Sequence, residues 1–241
     1  MPRSVDYMNG SLLTGLSNGT IFEVNKTMPE GRDLIQSHFD GETWGLAIVK
    51  EEGTYRYITS GDDNSLMLYD INMRKVIGRG FVDPKQGLMR RQTKKGGASS
   101  QSKYHSSQQS RALAYNHELN HLAVAKNDGE VSIRLIEGSE NTAEDAFLSL
   151  DNEICLLDFG KTKVAKEWIE CLRYNGDMTK LAVGSHDNYI YIFTCSDAGY
   201  KLERRLFGHS SYITCIDWSE DGDYIRSVCG AYELLFFSGL S

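Results

Sequence analysis

Short β-rich runs of apolar residues recur along the chain. The runs at 55–59, 66–69, 131–135 and 189–193 are rich in β-branched and aromatic residues, and each is bounded by Gly, Asp or Asn. No convincing long segment has the 3.6-residue period of an amphipathic helix. Short strands separated by tight turns are typical of an all-β protein. The pattern therefore predicts an all-β fold.

The apolar runs also recur at a regular distance. Near the C-terminus Leu172 aligns with Ile216, a step of 44 residues, and Leu46 and Leu113 occupy the same place in two earlier units. A repeat of about 40–45 residues with four short strands is the period of a β-propeller blade. Asp, Asn and Gly are expected in the hairpin between the second and third strands, because these residues tolerate positive φ.

The repeat predicts a single WD-repeat propeller segment over 1–241 with about five blades, partial or incompletely closed. The expected units are a partial blade at 10–37 and blades at about 38–83, 110–158, 168–207 and 208–240, interrupted by a flexible basic insertion at 84–109 and a polar insertion at 138–151. Propellers close with about 4–8 blades. We therefore expect the remaining blades of a parent chain, or a second copy of this chain, to complete the ring.

The charge of the chain is unevenly distributed. With 26 basic and 33 acidic residues the net charge is −7, yet the stretch 84–111 holds seven basic residues and no acid. The acidic remainder argues against a nucleic-acid partner, and no run reaches the ~18–20 apolar residues of a membrane span. The basic stretch is either a solvated insertion or a contact for an acidic partner. In the second case the contacting residues are Arg90, Arg91, Lys94 and Lys95.

The cysteine pattern suggests no metal or redox site. The chain has five cysteines, an odd number, and none forms a C-x-x-C pair. Such a pair is the usual signature of a zinc site or a thioredoxin-type centre. We therefore expect reduced, mostly buried thiols, and no metal or cofactor.

Catalysis is also disfavoured. Ser185, His186 and Asp187 are adjacent on one predicted hairpin, so they cannot adopt the geometry of a catalytic triad. A catalytic propeller needs polar residues that converge at the channel, whereas the first strand of each repeat offers Ala, Leu, Cys and Ile. The sequence therefore predicts a non-enzymatic protein-binding scaffold with no catalytic residue.

Two stretches carry a resemblance to a known family. Gly208 and His209, followed by Asp217 and Trp218, resemble a WD repeat. The segments 181–191 (LAVGSHDNYIY) and 208–219 (GHSSYITCIDWS) are similar to late blades of the echinoderm microtubule-associated protein-like family. That family has a tandem propeller core that binds tubulin or microtubules. The resemblance implies that this chain is part of the second, C-terminal propeller, and that it is cytoplasmic and cytoskeleton-associated.

The resemblance also implies structural residues and partners. WD blades often contain a polar cluster of a His, a Ser or Thr, a turn Asp and a Trp. The matching residues here are His38, Asp63, Asp128, Asp187, His209 and Trp218, while Ala231 stands where the family tends to have Asp. The implied partners are tubulin or microtubules, whose acidic tails would suit the basic stretch. A generic WD-repeat scaffold in a cytosolic or ciliary multiprotein complex unrelated to tubulin is the open alternative.

Overall fold

The computed structural model describes residues 2–17, 19–35, 38, 41–51, 54–83, 109–137, 148–154 and 163–239. These residues form nineteen strands, which confirms the all-β prediction. None of the described sheets closes on itself, and the last has three strands, as in a partial propeller. The described residues contain no helix that could cross a membrane.

The first sheet is a complete four-stranded antiparallel unit. Its strands in order are β1 (Pro2–Met8), β2 (Ser11–Leu16), β3 (Ile21–Asn25) and β4 (Met28–Ile35). The sequence predicts only a partial blade over 10–37, and the structure corrects this by adding β1. β1 is not evident from the sequence because it lacks the turn signature of the repeat, and its Val5 and Tyr7 are exposed rather than buried.

The second and third units form one eight-stranded sheet. Its strands are β5 (Thr43–Glu51), β6 (Thr54–Gly61), β7 (Ser65–Asp70), β8 (Lys75–Phe81), β9 (Leu113–Asn116), β10 (His121–Ala125), β11 (Val131–Glu137) and β12 (Leu148–Ile154). The outermost strands β8 and β12 pair in parallel, with Leu148 opposite Gly78. Residues 148–151 therefore belong to a strand, although the sequence predicts them within the polar insertion 138–151. The fully buried Leu150 packs in the core of this sheet pair and explains the difference.

The last two units complete the described fold. One contains β13 (Ile169–Tyr174), β14 (Lys180–Ser185), β15 (Ile190–Ser196) and β16 (Gly199–Leu206), and the other β17 (Ile213–Trp218), β18 (Tyr224–Cys229) and β19 (Leu234–Ser238). The first strands of successive units lie side by side, since β9 contacts β5 and β13, and β13 contacts β17. Apolar side chains are buried between neighbouring units, so each blade is stabilised by its neighbours.

Tight hairpins join the second and third strands, as the sequence predicts. Asn64 and Asn188 have φ values of 60° and 70°, and Gly129 has a φ of 84°. These residue types adopt the left-handed conformation at low cost. The turns hold Asp63, Asp128 and Asp187 at equivalent places in three successive blades.

Candidate functional site

The blade formed by β5–β8 contains a buried polar cluster around His38. Its Nδ1 lies 2.9 Å from Asp63 Oδ1, and its Nε2 lies 2.8 Å from Thr59 Oγ1. The hydroxyl of Ser65 donates to Asp63 Oδ1 at 2.7 Å. The structure thus brings together His38 and Asp63, both predicted from the sequence, and adds Thr59 and Ser65. The cluster joins the segment before β5 to β6 and β7.

The charge in this cluster is stabilised by hydrogen bonds. Burial by itself would raise the pKa of Asp63, but the hydrogen bonds from His38 and Ser65 outweigh it and leave the pKa below its ordinary value. Tyr69, at the place of the usual Trp, stacks on Tyr57 with ring centroids 4.8 Å apart. Burial raises the pKa of Tyr69, so its phenol stays neutral.

The other two turn aspartates accept hydrogen bonds from groups in or near their own hairpins. Asp128 Oδ1 accepts a hydrogen bond from the backbone N–H of Glu130 at 3.1 Å. Asp187 Oδ2 accepts from the Tyr191 hydroxyl at 2.7 Å and from the Lys166 backbone at 3.0 Å. Both therefore act on the conformation of their hairpins.

The last blade, β17–β19, has a different arrangement around His209. His209 Nε2 lies 2.7 Å from Ser227 Oγ, which corresponds to the contact of His38 with Thr59. Ala231 occupies the turn position that holds Asp63 in the earlier blade. Glu233, two residues later, accepts from the backbone and the hydroxyl of Ser210 at 2.8 and 2.9 Å. These hydrogen bonds, with one from Cys229, lower the pKa of Glu233 to about 2.

The other predicted residues are Trp218 and the four basic residues of the insertion. The indole of Trp218 donates to the backbone oxygen of Arg173 at 3.0 Å, which links the last blade to the preceding one. Arg90, Arg91, Lys94 and Lys95 lie outside the described residues.

The first strands of three units line a cavity. It has a volume of about 540 Å³ and is bordered by β5, β9 and β13. Its wall includes apolar side chains such as Leu46, Ile48 and Leu172. Burial, with nearby Cys215 and Glu170, raises the pKa of the Cys171 thiol in this wall. A thiol that stays protonated is a poor nucleophile, so Cys171 is suited to packing rather than to covalent chemistry.

The mouth of this cavity carries a stack of aromatic and charged side chains. The guanidinium carbon of Arg111 lies 4.2 Å from the ring centroid of Trp44 and 4.4 Å from that of Trp168. Its NH1 lies 3.5 Å from Glu170 Oε2, and His186 Nε2 lies 3.0 Å from the same oxygen. Cation–π contacts contribute about 0.5–2 kcal/mol each, so Arg111 is held in a defined orientation between two indoles.

The stack continues towards the last blade. The imidazole of His186 lies 5.9 Å from the ring of Trp168 and 4.6 Å from that of Tyr212. We call the set Trp44, Arg111, Trp168, His186 and Tyr212 the rim stack. It crosses four successive units at one end of the cavity. Sequence reasoning missed it, although large planar side chains just before the first strand of several repeats were a visible signal.

The comparisons with known proteins agree with this geometry. Residues 43–240 match the family model described as the echinoderm microtubule-associated protein second β-propeller. The ciliary WD repeat-containing protein ctxp80 of Euplotoides octocarinatus is 40% identical over 237 residues, which are 98% of this chain and 30% of that protein. Echinoderm microtubule-associated protein-like 3 of Mus musculus is 32% identical over 85% of this chain and 18% of its own length.

Two other similarities are more local or concern the fold alone. Echinoderm microtubule-associated protein-like 4 of Homo sapiens is 52% identical over 73 residues. The crystal structure of the computationally designed Ika8 protein superposes with a TM-score of 0.52 at 14% identity, covering 97% of this chain and 57% of the designed one. The chain thus spans less than a third of the length of the natural relatives named above.

Proposed function

Because this chain belongs to the family of the echinoderm microtubule-associated protein second β-propeller, we propose that it is a non-enzymatic interaction platform in a microtubule-associated protein core that binds tubulin or microtubules. The observation that carries the proposal is the family match over 43–240. We place the protein in the cytoplasm, associated with the cytoskeleton. The naming of two relatives as microtubule-associated supports this.

The rim stack supports the proposal physically. Arg and Trp are enriched among the residues that dominate protein–protein binding energies. Here Arg111 is held between Trp44 and Trp168 before any partner arrives, so little side-chain entropy remains to be lost on binding. A planar and rigid surface of this kind, whose Arg111 is already paired with Glu170, suits a protein partner with exposed aromatic side chains.

The basic stretch supplies the second part of the proposal. We assign Arg90, Arg91, Lys94 and Lys95 to contact with an acidic protein surface such as the tubulin tails. Exposed charges act over a Debye length, which falls from about 30 Å at 0.01 M salt to about 8 Å at 0.15 M. Binding through these residues should therefore weaken steeply between those two concentrations.

Co-sedimentation of the chain with polymerised microtubules tests both parts. We expect the wild-type chain to pellet at low salt and to pellet less at 0.15 M. Replacing Arg90, Arg91, Lys94 and Lys95 by Gln should remove most of the salt-dependent binding. The matched control replaces four exposed lysines by Gln, namely Lys26, Lys75, Lys166 and Lys201. It changes the net charge equally and should still bind.

The outcomes separate the parts of the proposal. Absence of pelleting by the wild-type chain and by the complete parent protein would contradict tubulin binding. Equal losses of microtubule binding in the two four-residue variants would show a general charge effect. That result would contradict only the role assigned to the basic stretch. An Arg111→Gln variant tests the rim stack, because it keeps a polar side chain and removes the cation between the indoles.

A second function remains a candidate because of one specific relative. The protein that matches 98% of this chain is named as ciliary rather than as microtubule-associated. The alternative proposal is therefore a WD-repeat scaffold in a ciliary or cytosolic complex that does not contact tubulin. Capture of a defined protein set by wild type, with its loss in Arg111→Gln and no microtubule pelleting, would favour this alternative.

We also propose how the propeller is completed. The last sheet has three strands, and an unpaired strand edge favours pairing with another strand. Either the remaining blades of a parent chain or a second copy of this chain would supply it. Light scattering over a range of concentrations distinguishes a monomer from a dimer of the 27.1 kDa chain.

A further inference from the structure

His209, Cys229 and Glu233 form a compact group at one end of the last blade. One ligand-type atom from each, an imidazole nitrogen, a thiol sulfur and a carboxylate oxygen, lies within 4.8 Å of the other two. Cys229 Sγ is 3.1 Å from Glu233 Oε2, and His209 Nδ1 is 3.6 Å from the same oxygen. His209 lies in the segment before β17, Cys229 ends β18, and Glu233 immediately precedes β19.

The imidazole nitrogen in this group has an unusual environment. The side chain of His209 is 1% exposed, and its Nδ1 is buried without a hydrogen-bond partner. In the earlier blade the corresponding nitrogen of His38 lies 2.9 Å from Asp63. Ala231 stands at the place of that Asp, so the last blade lacks the usual acceptor. A buried polar atom without a partner carries a free-energy penalty, and a bound cation would remove it.

From these observations we infer that His209 Nδ1, Cys229 Sγ and a carboxylate oxygen of Glu233 form a binding site for a zinc-class divalent metal ion. Mixed N, S and O donors suit Zn²⁺, and its usual bond lengths place tetrahedral ligand atoms about 3.3–3.6 Å apart. The separations of 3.1 and 3.6 Å are close to that range. Glu233 is partly exposed, so water can complete the coordination.

Two neighbouring serines hold two of the three ligands, His209 and Glu233, in position. Ser227 Oγ lies 2.7 Å from His209 Nε2, and a proton on Nε2 leaves the lone pair of Nδ1 directed at the metal. Ser210 donates two hydrogen bonds to the carboxylate of Glu233. Metal-binding sites commonly orient their ligands by such outer hydrogen bonds. The site would fix the β18–β19 hairpin to the segment before β17.

Metal binding at this site has a defined proton balance. The Cys229 thiol loses its proton as the zinc–sulfur bond forms, while Glu233 is already ionised at neutral pH and releases none. His209 binds through the Nδ1 lone pair with its proton on Nε2, so each Zn²⁺ bound releases about one proton, from Cys229. This site does not depend on whether the chain binds tubulin.

The inference is tested by titrating the whole 241-residue chain with Zn²⁺, and with Co²⁺ as a spectroscopic probe, under reducing conditions. We expect one ion per chain, a thiolate-to-cobalt charge-transfer absorption and a rise in Tm with Zn²⁺. Cys229→Ala should abolish the charge-transfer absorption. Cys229→Ala and Glu233→Gln should each weaken Zn²⁺ binding more than about tenfold, since loss of an outer-shell contact alone costs about 10–100-fold.

The matched control is Cys215→Ala, which removes an exposed thiol from the same sheet. It should bind the metal as wild type does. Circular dichroism establishes that each variant is folded, and the near-isosteric Glu233→Gln provides a test even if Cys229→Ala does not fold. Absence of stoichiometric binding by wild type, or undiminished binding in folded Cys229→Ala or Glu233→Gln, would overturn the inference.

Discussion

Arg134 on β11 is a buried connection between two blades, and we predict that Arg134→Met lowers the free energy of unfolding by about 3–5 kcal/mol. The residue is 0% exposed. Its guanidinium donates to the backbone oxygens of Phe81, Val82 and Leu150 at 2.6, 2.7 and 3.1 Å, and its Nε donates to Ser132 Oγ at 3.0 Å. These contacts lie where β8 and β12 join the two halves of the eight-stranded sheet.

The predicted magnitude follows from the groups that lose their donor. Each buried acceptor left without a hydrogen bond costs about 1–3 kcal/mol, so three carbonyl oxygens together give about 3–9 kcal/mol. Removing the guanidinium also removes the cost of burying a charge, which offsets part of this loss. Met retains most of the apolar stem and leaves little cavity. The net expectation therefore falls in the lower half of the range.

Urea unfolding followed by circular dichroism and tryptophan fluorescence measures the effect. The matched control is Arg226→Met, because Arg226 has a side chain 62% exposed that pairs with Asp217. An exposed ion pair contributes about 0–1 kcal/mol. Arg134→Lys should be intermediate, since Lys keeps the charge but cannot reach several carbonyl groups as a planar fork does. If Arg134→Met and Arg226→Met differ by less than about 1 kcal/mol, the reasoning fails.

Three further predictions concern the last blades and the His38 cluster. Folding lowers the pKa of Glu233, so this carboxylate contributes stability that wild type loses as the pH falls from 4.5 towards 2. Glu233→Gln should lack this pH-dependent contribution, which a series of Tm measurements over that pH range would show. Gly184→Ala should lower the free energy of unfolding in urea by about 1–3 kcal/mol, because the added Cβ would lie 2.8 Å from Ile213 Cγ2 and against Cys171. Adding Cys171→Ala should recover part of the loss. Asp63→Asn should lower unfolding free energy by about 1.5–3 kcal/mol by the same assay, as it loses charge-assisted hydrogen bonds; an unchanged denaturation midpoint would argue against the cluster's role.

The repeat made most of the fold predictable from the sequence. The step between Leu172 and Ile216, together with the turn residues, indicated four-stranded units and a propeller, and the family match confirms the propeller. The strand β1 and the residues of β12 at 148–151 were not predicted. Their pairing depends on contacts with distant strands, which local polarity does not reveal.

Site residues were predictable from the sequence only where they occupy a defined position of the repeat. The proximity of His38 and Asp63 was anticipated, but the surrounding Thr59 and Ser65 were not. Arg134 was missed for a physical reason. It alternates with Val131, Ile133 and Leu135, which normally indicates a solvent-facing residue, yet a blade is covered on both faces and the side chain is buried. The rim stack depends on the angle between neighbouring blades, which sequence spacing does not specify.

The rim stack also gives the molecule a built-in optical reporter. The protein has three tryptophans. Two of them, Trp44 and Trp168, flank Arg111 at the cavity mouth. The third, Trp218, donates its indole hydrogen to Arg173 in the neighbouring blade. Indole emission is sensitive to nearby charge and hydration, so occupation of the mouth would change the spectrum of two fluorophores and spare the third. A Trp218→Phe variant would therefore report occupancy of this surface alone, without an attached dye.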